Sequence, residues 1–168
     1  MFGKWHLGDT PETYPQNRGF DVNIGGWSRG GPYTGNKYFA PFKNPEIKIE
    51  SPEGEHLPAR LARETSRFIA DNQDRPFLAY LSFYSVHTPL MGRPDLVRKY
   101  NKKAAAINGE EFASEEQVIG NKPRKVRILQ KHAVYAAMVE AMDEAVGSVL
   151  NQLEKSGLAD NTIVFFTS

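Results

Sequence analysis

A chain of 168 residues with 21 Lys and Arg against 20 Asp and Glu has a formal charge of +1, so no charge excess marks a nucleic acid or an anionic membrane as its partner. A composition 40% hydrophobic and 11% aromatic belongs to a chain with a core, and one domain of this length buries roughly 70% of its unfolded surface. The lack of cysteine excludes disulfides, thiolate metal sites and a cysteine nucleophile, no apolar run approaches the ~20 residues of a membrane span, and the opening Met1-Phe2-Gly3-Lys4-Trp5-His6 lacks the shape of a signal peptide.

The first 56 residues hold Gly19, Gly25, Gly26, Gly30, Gly31 and Gly35 and six prolines, with neither a 3.6 nor a 2.0 periodicity. A long irregular layer of this kind lines a site or covers another part of a protein, and the expectation is that some of the surface it rests on is missing. Inside it, Gly3-Lys4-Trp5-His6-Leu7-Gly8 offers glycines for close backbone approach, a point charge for an oxyanion at Lys4 and an exchangeable proton at His6. Six residues alone favour a blander reading, a surface lysine and a packed histidine. Arg29, Asn36 and Lys37 are placed to meet an anion, although a polar loop surface explains them as well. His56, in a Pro-Glu-Gly-Glu loop, and His132, at a helix start, read as solvated surface.

From Pro58 to Asn72 the positions Leu61, Phe68 and Ile69, with Ala59 and Ala62, recur at helical spacing against a polar face of Arg60, Arg63, Glu64 and Arg67. After the breaker cluster 71–76, the near-continuous apolarity of Phe77–Tyr84 predicts a strand covered on both faces. Ser85-Val86-His87-Thr88-Pro89 follows directly, placing His87 at a carboxyl end, where α/β sheets present ligand groups. Residues 101–125 read as a solvated excursion. Tyr135, Met138, Val139, Met142, Val146, Val149, Leu150 and Leu153 predict a long amphipathic helix from about Val126 to Ser156, ended by Gly157. Thr162–Ser168 predicts a last apolar strand aimed at the same edge. Strand, helix and strand in this order form a crossover unit of a mostly parallel sheet.

Together these motifs resemble the type I sulfatases of the alkaline-phosphatase-like superfamily. Gly3–Gly8 is similar to the second sulfatase signature, Pro76–Leu90 to the strand with its His-Thr-Pro ending, and Tyr135–Ser168 to the helix and strand that precede a metal-binding Asp-Asn. The resemblance implies an α/β fold, a partial alkaline-phosphatase-like sandwich with a mostly parallel sheet, flanking helices and a long irregular N-terminal layer, with residues 1–168 part of a single catalytic domain truncated at both ends. It implies hydrolysis of a sulfated small molecule or glycan by a formylglycine nucleophile assisted by Ca2+. Within that scheme Lys4 neutralises a sulfate or nucleophile oxygen, His6 bonds the nucleophile's hydroxyls, and His87 binds sulfate and protonates the leaving alcohol, with Arg29 as a further substrate contact. A periplasmic or secreted location is implied by the family alone.

The departures are equally specific. No Ser heads an S-x-P-x-R motif and Cys is absent, so no formylglycine forms within these residues. Asp9, Asp21 and Asp143 are scattered where a hard dication needs six or more oxygens, so the expectation is no metal site within this chain, no turnover by the chain alone, and the missing parts of its own domain as partner. Two alternatives remain open: a non-catalytic domain binding anionic glycans, and a phosphatase or phosphodiesterase of the same superfamily.

Overall fold

A computed structural model describes residues 1–115 and 124–168. The chain opens in β1 (Phe2–Gly3), which pairs in parallel with β2 (Leu81–Ser82), Phe2 opposite Leu81 and Gly3 opposite Ser82. The ladder continues on both sides: the Phe2 amide donates to Tyr80 O at 2.8 Å and the Lys4 amide to Ser82 O at 2.7 Å, whereas Gly3 donates across the opposite edge to Ile24 O at 2.8 Å. β1 is therefore central, and Lys4 leaves it at the carboxyl end. Gly3 sits at φ +105°, and a Cβ there would lie 1.9 Å from Ser82 O, so only glycine lets the strands meet.

Helix α1 (Leu57–Asp71) carries Pro58 in its first turn, where a missing N–H costs nothing. Leu57, Leu61, Thr65 and Ile69 fall on one buried face at offsets of four. Leu61 meets Tyr38, Leu57, Tyr84 and Met138 in the main core cluster, which Trp27, Phe39, Phe42 and Ile47 close from the N-terminal layer. The layer thus rests at least in part on this chain's own core. The polar face expected on α1 needs a correction. Arg60 is fully buried and Glu64 nearly so, because residues 49–55 fold over that face. The guanidinium donates to Ile49 O at 3.2 Å and Glu50 O at 3.1 Å and pairs with Glu64 at 3.0 Å. A buried charge is tolerable only with such partners, and cutting away one member of the pair costs about 3–5 kcal/mol.

The predicted strand 77–84 is extended, but only Leu81–Ser82 is assigned to β2, and its outer face is open, with Leu78 76% exposed. α1 covers the inner face through Phe68, whose ring meets Phe77 edge-on at 5.8 Å. Within the expected solvated excursion 101–125, the described residues are mostly exposed and carry regular structure. Helix α2 (Pro94–Ala105) runs into them, and β3 (Phe112–Glu115) pairs antiparallel with β4 (Arg124–Arg127). The expectation for residues 116–123 lies outside the described residues. β4 also displaces the predicted start of the long helix. That helix, α3 (Ala133–Lys155), begins after His132, whose Nδ1 accepts from the Tyr135 amide at 3.2 Å.

At its other end Gly157 takes φ +68°, with Gly157 N–H bonded to Glu154 O and Leu158 N–H to Leu153 O, the paired bonds of a Schellman cap. α3 packs along α1 and α2 through Ala137, Met138, Ala141 and Ala145. The predicted terminal strand pairs with nothing among the described residues. Thr162–Ser168 has no regular secondary structure, with Ile163 81% and Phe165 88% exposed. The crossover unit therefore lacks its second paired strand here, because no described strand edge lies against it.

Candidate functional site

The carboxyl ends of β1 and β2 bring His6 and His87 close together, and the Lys4 backbone leaves β1 at the same edge, although no side-chain contact among the described residues joins Lys4 to either histidine. Lys4 and His6 follow β1 directly. Between them Trp5 turns the other way, donating from Nε1 to Thr13 O at 2.9 Å and meeting Phe20 edge-on at 6.0 Å. The His6 amide donates to Trp27 O at 3.1 Å, and His6 holds φ +56°, a left-handed conformation that a non-glycine residue rarely adopts. Such conformations persist where neighbours over-determine them, and they concentrate at functional sites.

Gly30 and Gly31 bring the two histidines together. A Cβ on Gly30 would lie 2.3 Å from His6 Nδ1, and one on Gly31 would lie 2.9 Å from His87 Nδ1. Two imidazoles from distant stretches thus lie against consecutive glycines. His6 is exposed and His87 half-buried, so both rings remain open to a solute.

His87 is held from several directions. Its amide donates to Tyr84 O at 2.9 Å. The Tyr38 hydroxyl lies 2.9 Å from Tyr84 O and 2.8 Å from His87 O, bracketing the turn that carries the imidazole. Tyr84 in turn donates its hydroxyl to Gly25 O at 2.7 Å, tying β2 to the glycine-rich layer. Burial raises both phenols above their ordinary pKa, so they stay protonated donors. His87 Nδ1 lies 2.8 Å from Thr88 O. A carbonyl only accepts, so Nδ1 carries the proton and the neutral ring keeps a lone pair on Nε2. The Tyr33 hydroxyl lies over the face of the ring, 3.2 Å from Nε2 and 3.4 Å from Nδ1.

Arg29 is exposed and adjacent to Gly30, and no hydrogen bond or ion pair among the described residues holds its side chain. Lys37 and Asn36 are exposed farther along the layer. His132 is exposed, as expected, and serves as the N-cap of α3. His56 is not solvated: it is 4% exposed, with Phe39 and Tyr38 rings at 5.0 and 6.0 Å, because the layer closes over the start of α1. Burial pushes its pKa down to about 4, with the Met91 backbone opposing and Arg93 adding to the effect. Thr167 and Ser168 are exposed at the chain end.

Among the described residues no three His, Asp or Glu side chains come together. The donors present therefore do not fit Ca2+, which asks for six to eight oxygens with several carboxylates. Sequence reasoning found the lysine and both histidines but missed Tyr33, Tyr38 and the glycine pair. Gly30-Gly31-Pro32-Tyr33 reads as loop punctuation, and nothing in its spacing shows that a strand end 50 residues later folds against it.

The sulfatase family model matches residues 1–168. An uncharacterised sulfatase of Schizosaccharomyces pombe is 30% identical over 210 aligned residues, covering 100% of this chain and 37% of that protein. Human steryl-sulfatase is 32% identical over 136 residues, 78% of this chain and 18% of that protein. Among solved structures, Ps i-CgsB in complex with k-i-k-neocarrahexaose superposes with a TM-score of 0.64 at 26% identity, covering 95% of this chain and 34% of that one. The chain thus spans 37% or less of the length of these relatives.

Proposed function

The chain belongs to the sulfatase family, and from that premise we propose that it supplies the anion-gripping rim of an enzyme that hydrolyses sulfate esters. The observation that supports this reading is the seating of His6 and His87 on Gly30 and Gly31 at the end of the strand that also delivers Lys4. Lys4 binds a sulfate oxygen and offsets the charge that grows there as the ester bond breaks. Preorganised charge of this kind contributes ~10²–10³ in rate when it meets the developing anion. His6 donates a hydrogen bond on the same side. His87, once protonated on Nε2, gives that proton to the leaving alcohol, with Thr88 O holding Nδ1–H throughout.

In this family's chemistry a formylglycine would supply the attacking oxygen and a Ca2+ would polarise the sulfate. The described residues gather no ligand set for the ion, and the sequence has no Cys and no Ser heading S-x-P-x-R, so the isolated 168 residues are expected not to turn over. A relative that is a steryl-sulfatase and a neighbour solved with neocarrahexaose agree with a ring-bearing sulfate ester as substrate.

The test is made on the protein that carries these residues together with its nucleophile-bearing segment. It should hydrolyse 4-nitrophenyl sulfate in preference to the phosphate, Lys4→Ala should lower kcat on that ester by about 10²-fold or more, and His87→Ala should lower kcat on a sugar sulfate by about 10²-fold or more. A preference for phosphate esters, or wild-type rates in Lys4→Ala, would overturn the reading.

A further inference from the structure

The cleft between α2 and the start of α3 is lined by hydrogen-bond donors that the histidine rim does not use. It holds about 220 Å³, less than the ~300–1,000 Å³ of a drug-sized ligand's pocket, which suits a single small ring. Lys103 lines it from α2, and Gln130, Lys131 and His132 line it from the segment leading into α3. Tyr100 and Ile107 give it an apolar wall, and the short side chains of Ala133 and Ala136 leave the space open. Among the described residues no carboxylate lines it. His132 Nδ1 accepts from the Tyr135 amide at 3.2 Å, so the neutral ring carries its proton on Nε2 and donates there. The local charge is positive. Glu111 is shared by Lys131 and Arg127, each at 3.0 Å, one carboxylate against two cations. Lys99 pairs with Glu140, whereas Lys103, one turn on, pairs with no carboxylate among the described residues, its Nζ 5.8 Å from the centroid of the Tyr100 ring. The described residues of 98–131 carry eight Lys and Arg against three Asp and Glu, in a chain whose whole balance is +1.

We propose that this cleft binds one sulfated sugar residue of a polyanionic glycan, an inference that rests on the sulfatase reading above for the identity of that chain. A sugar ring has an apolar C–H face and an edge of oxygens. The face lies on Tyr100 and Ile107, the hydroxyls take hydrogen bonds from Gln130 and His132, and the sulfate lies between Lys103 and Lys131, which can only donate. The ring and its charge are needed together, because exposed lysines alone hold a small anion weakly. The cleft and the rim share a framework: Met138 of α3 accepts at Sδ from the Met91 amide at 3.2 Å, four residues beyond His87. The consequence is a preference for sulfated oligosaccharides over single sulfate esters, expressed in binding and not in the chemical step.

The test titrates the 168-residue chain with a sulfated galactan tetrasaccharide at constant ionic strength and follows its amide resonances. Ala133 and Ala136 should shift along one curve with a Kd in roughly the millimolar range, while sodium sulfate alone leaves them still. Lys103 is exposed, so its replacement spares the core. Lys103→Ala should weaken binding by about 3-fold or more and Lys103→Arg should keep it, and the desulfated tetrasaccharide should bind the wild type no better than the sulfated one binds Lys103→Ala. In the active protein, Lys103→Ala should raise KM for the tetrasaccharide with kcat unchanged and leave 4-nitrophenyl sulfate hydrolysis as it is. Equal binding of the sulfated and desulfated sugars, equally tight binding of a single-stranded oligonucleotide of the same charge, or an affinity and KM that Lys103→Ala leaves unchanged would overturn the cleft and leave the sulfatase reading intact. A wild type that binds the tetrasaccharide as described but turns over neither ester would overturn the sulfatase reading and leave the cleft standing as a glycan site.

Discussion

At Gly30 the absence of one methyl group decides where a histidine can stand. The added Cβ of alanine would lie 2.3 Å from His6 Nδ1 and 2.5 Å from its Cε1, and the atoms in its way belong to an exposed, movable ring. Gly30→Ala should therefore leave the thermal midpoint within about 2 °C and lower sulfate-ester turnover about 10-fold or more, because a misplacement of ~1 Å at a reacting group costs heavily. Differential scanning calorimetry and steady-state kinetics on the same samples check this, and full activity in the variant would remove His6 from the site. The histidines and the lysine were legible in the sequence because their types and neighbours carry chemistry on their face. Tyr33 and the glycine pair were not, since their contacts exist only when residues 30–33 and 84–88 are brought together by the fold.

At the scale of elements, α1 and the glycine-rich layer are welded by groups that look solvent-bound in the sequence. Helical spacing located α1 to within a residue, from Pro58–Asn72 to Leu57–Asp71. The same spacing put Arg60 and Glu64 outside, because a charged stripe ordinarily faces water, and could not show residues 49–55 folding over it. His56 belongs to the same seam, immediately before α1 and under Phe39. Its pKa falls from 6.5 to about 4 on folding, so the folded protein holds it neutral and the unfolded chain binds the proton more readily. The stability this contributes is complete above pH 6.5 and drains away as pH falls towards 4. The loss amounts to at most about 3 kcal/mol. Urea midpoints measured at pH 7 and pH 4 should therefore separate more in the wild type than in His56→Gln, which does not titrate. Equal separation in both would assign the acid sensitivity to carboxylates instead.

At the scale of the whole molecule, the α/β class was read correctly, but the parallel pair is β1 with β2 and not the two strands flanking the long helix, and it sets the carboxyl edge where the histidines lie. Pattern could not supply pairing. β1 is two residues long and invisible to periodicity, and Thr162–Ser168 reads as a strand yet pairs with nothing among the described residues, because a strand's partner is a tertiary fact. Leu78, Ile163, Val164, Phe165 and Phe166 are each more than half exposed.

The account stands or falls on whether residues 4, 6 and 87 grip one tetrahedral anion. The direct measurement is a titration of the 168-residue chain with sodium sulfate, at ionic strength held constant with chloride, following the imidazole resonances of all four histidines. His6 and His87 should move together along one binding curve, with a Kd in roughly the millimolar range, while His56 and His132 stay still and Lys4→Ala flattens both curves. Shifts of all four histidines in parallel, or a response of His6 and His87 that Lys4→Ala leaves unchanged, would contradict it.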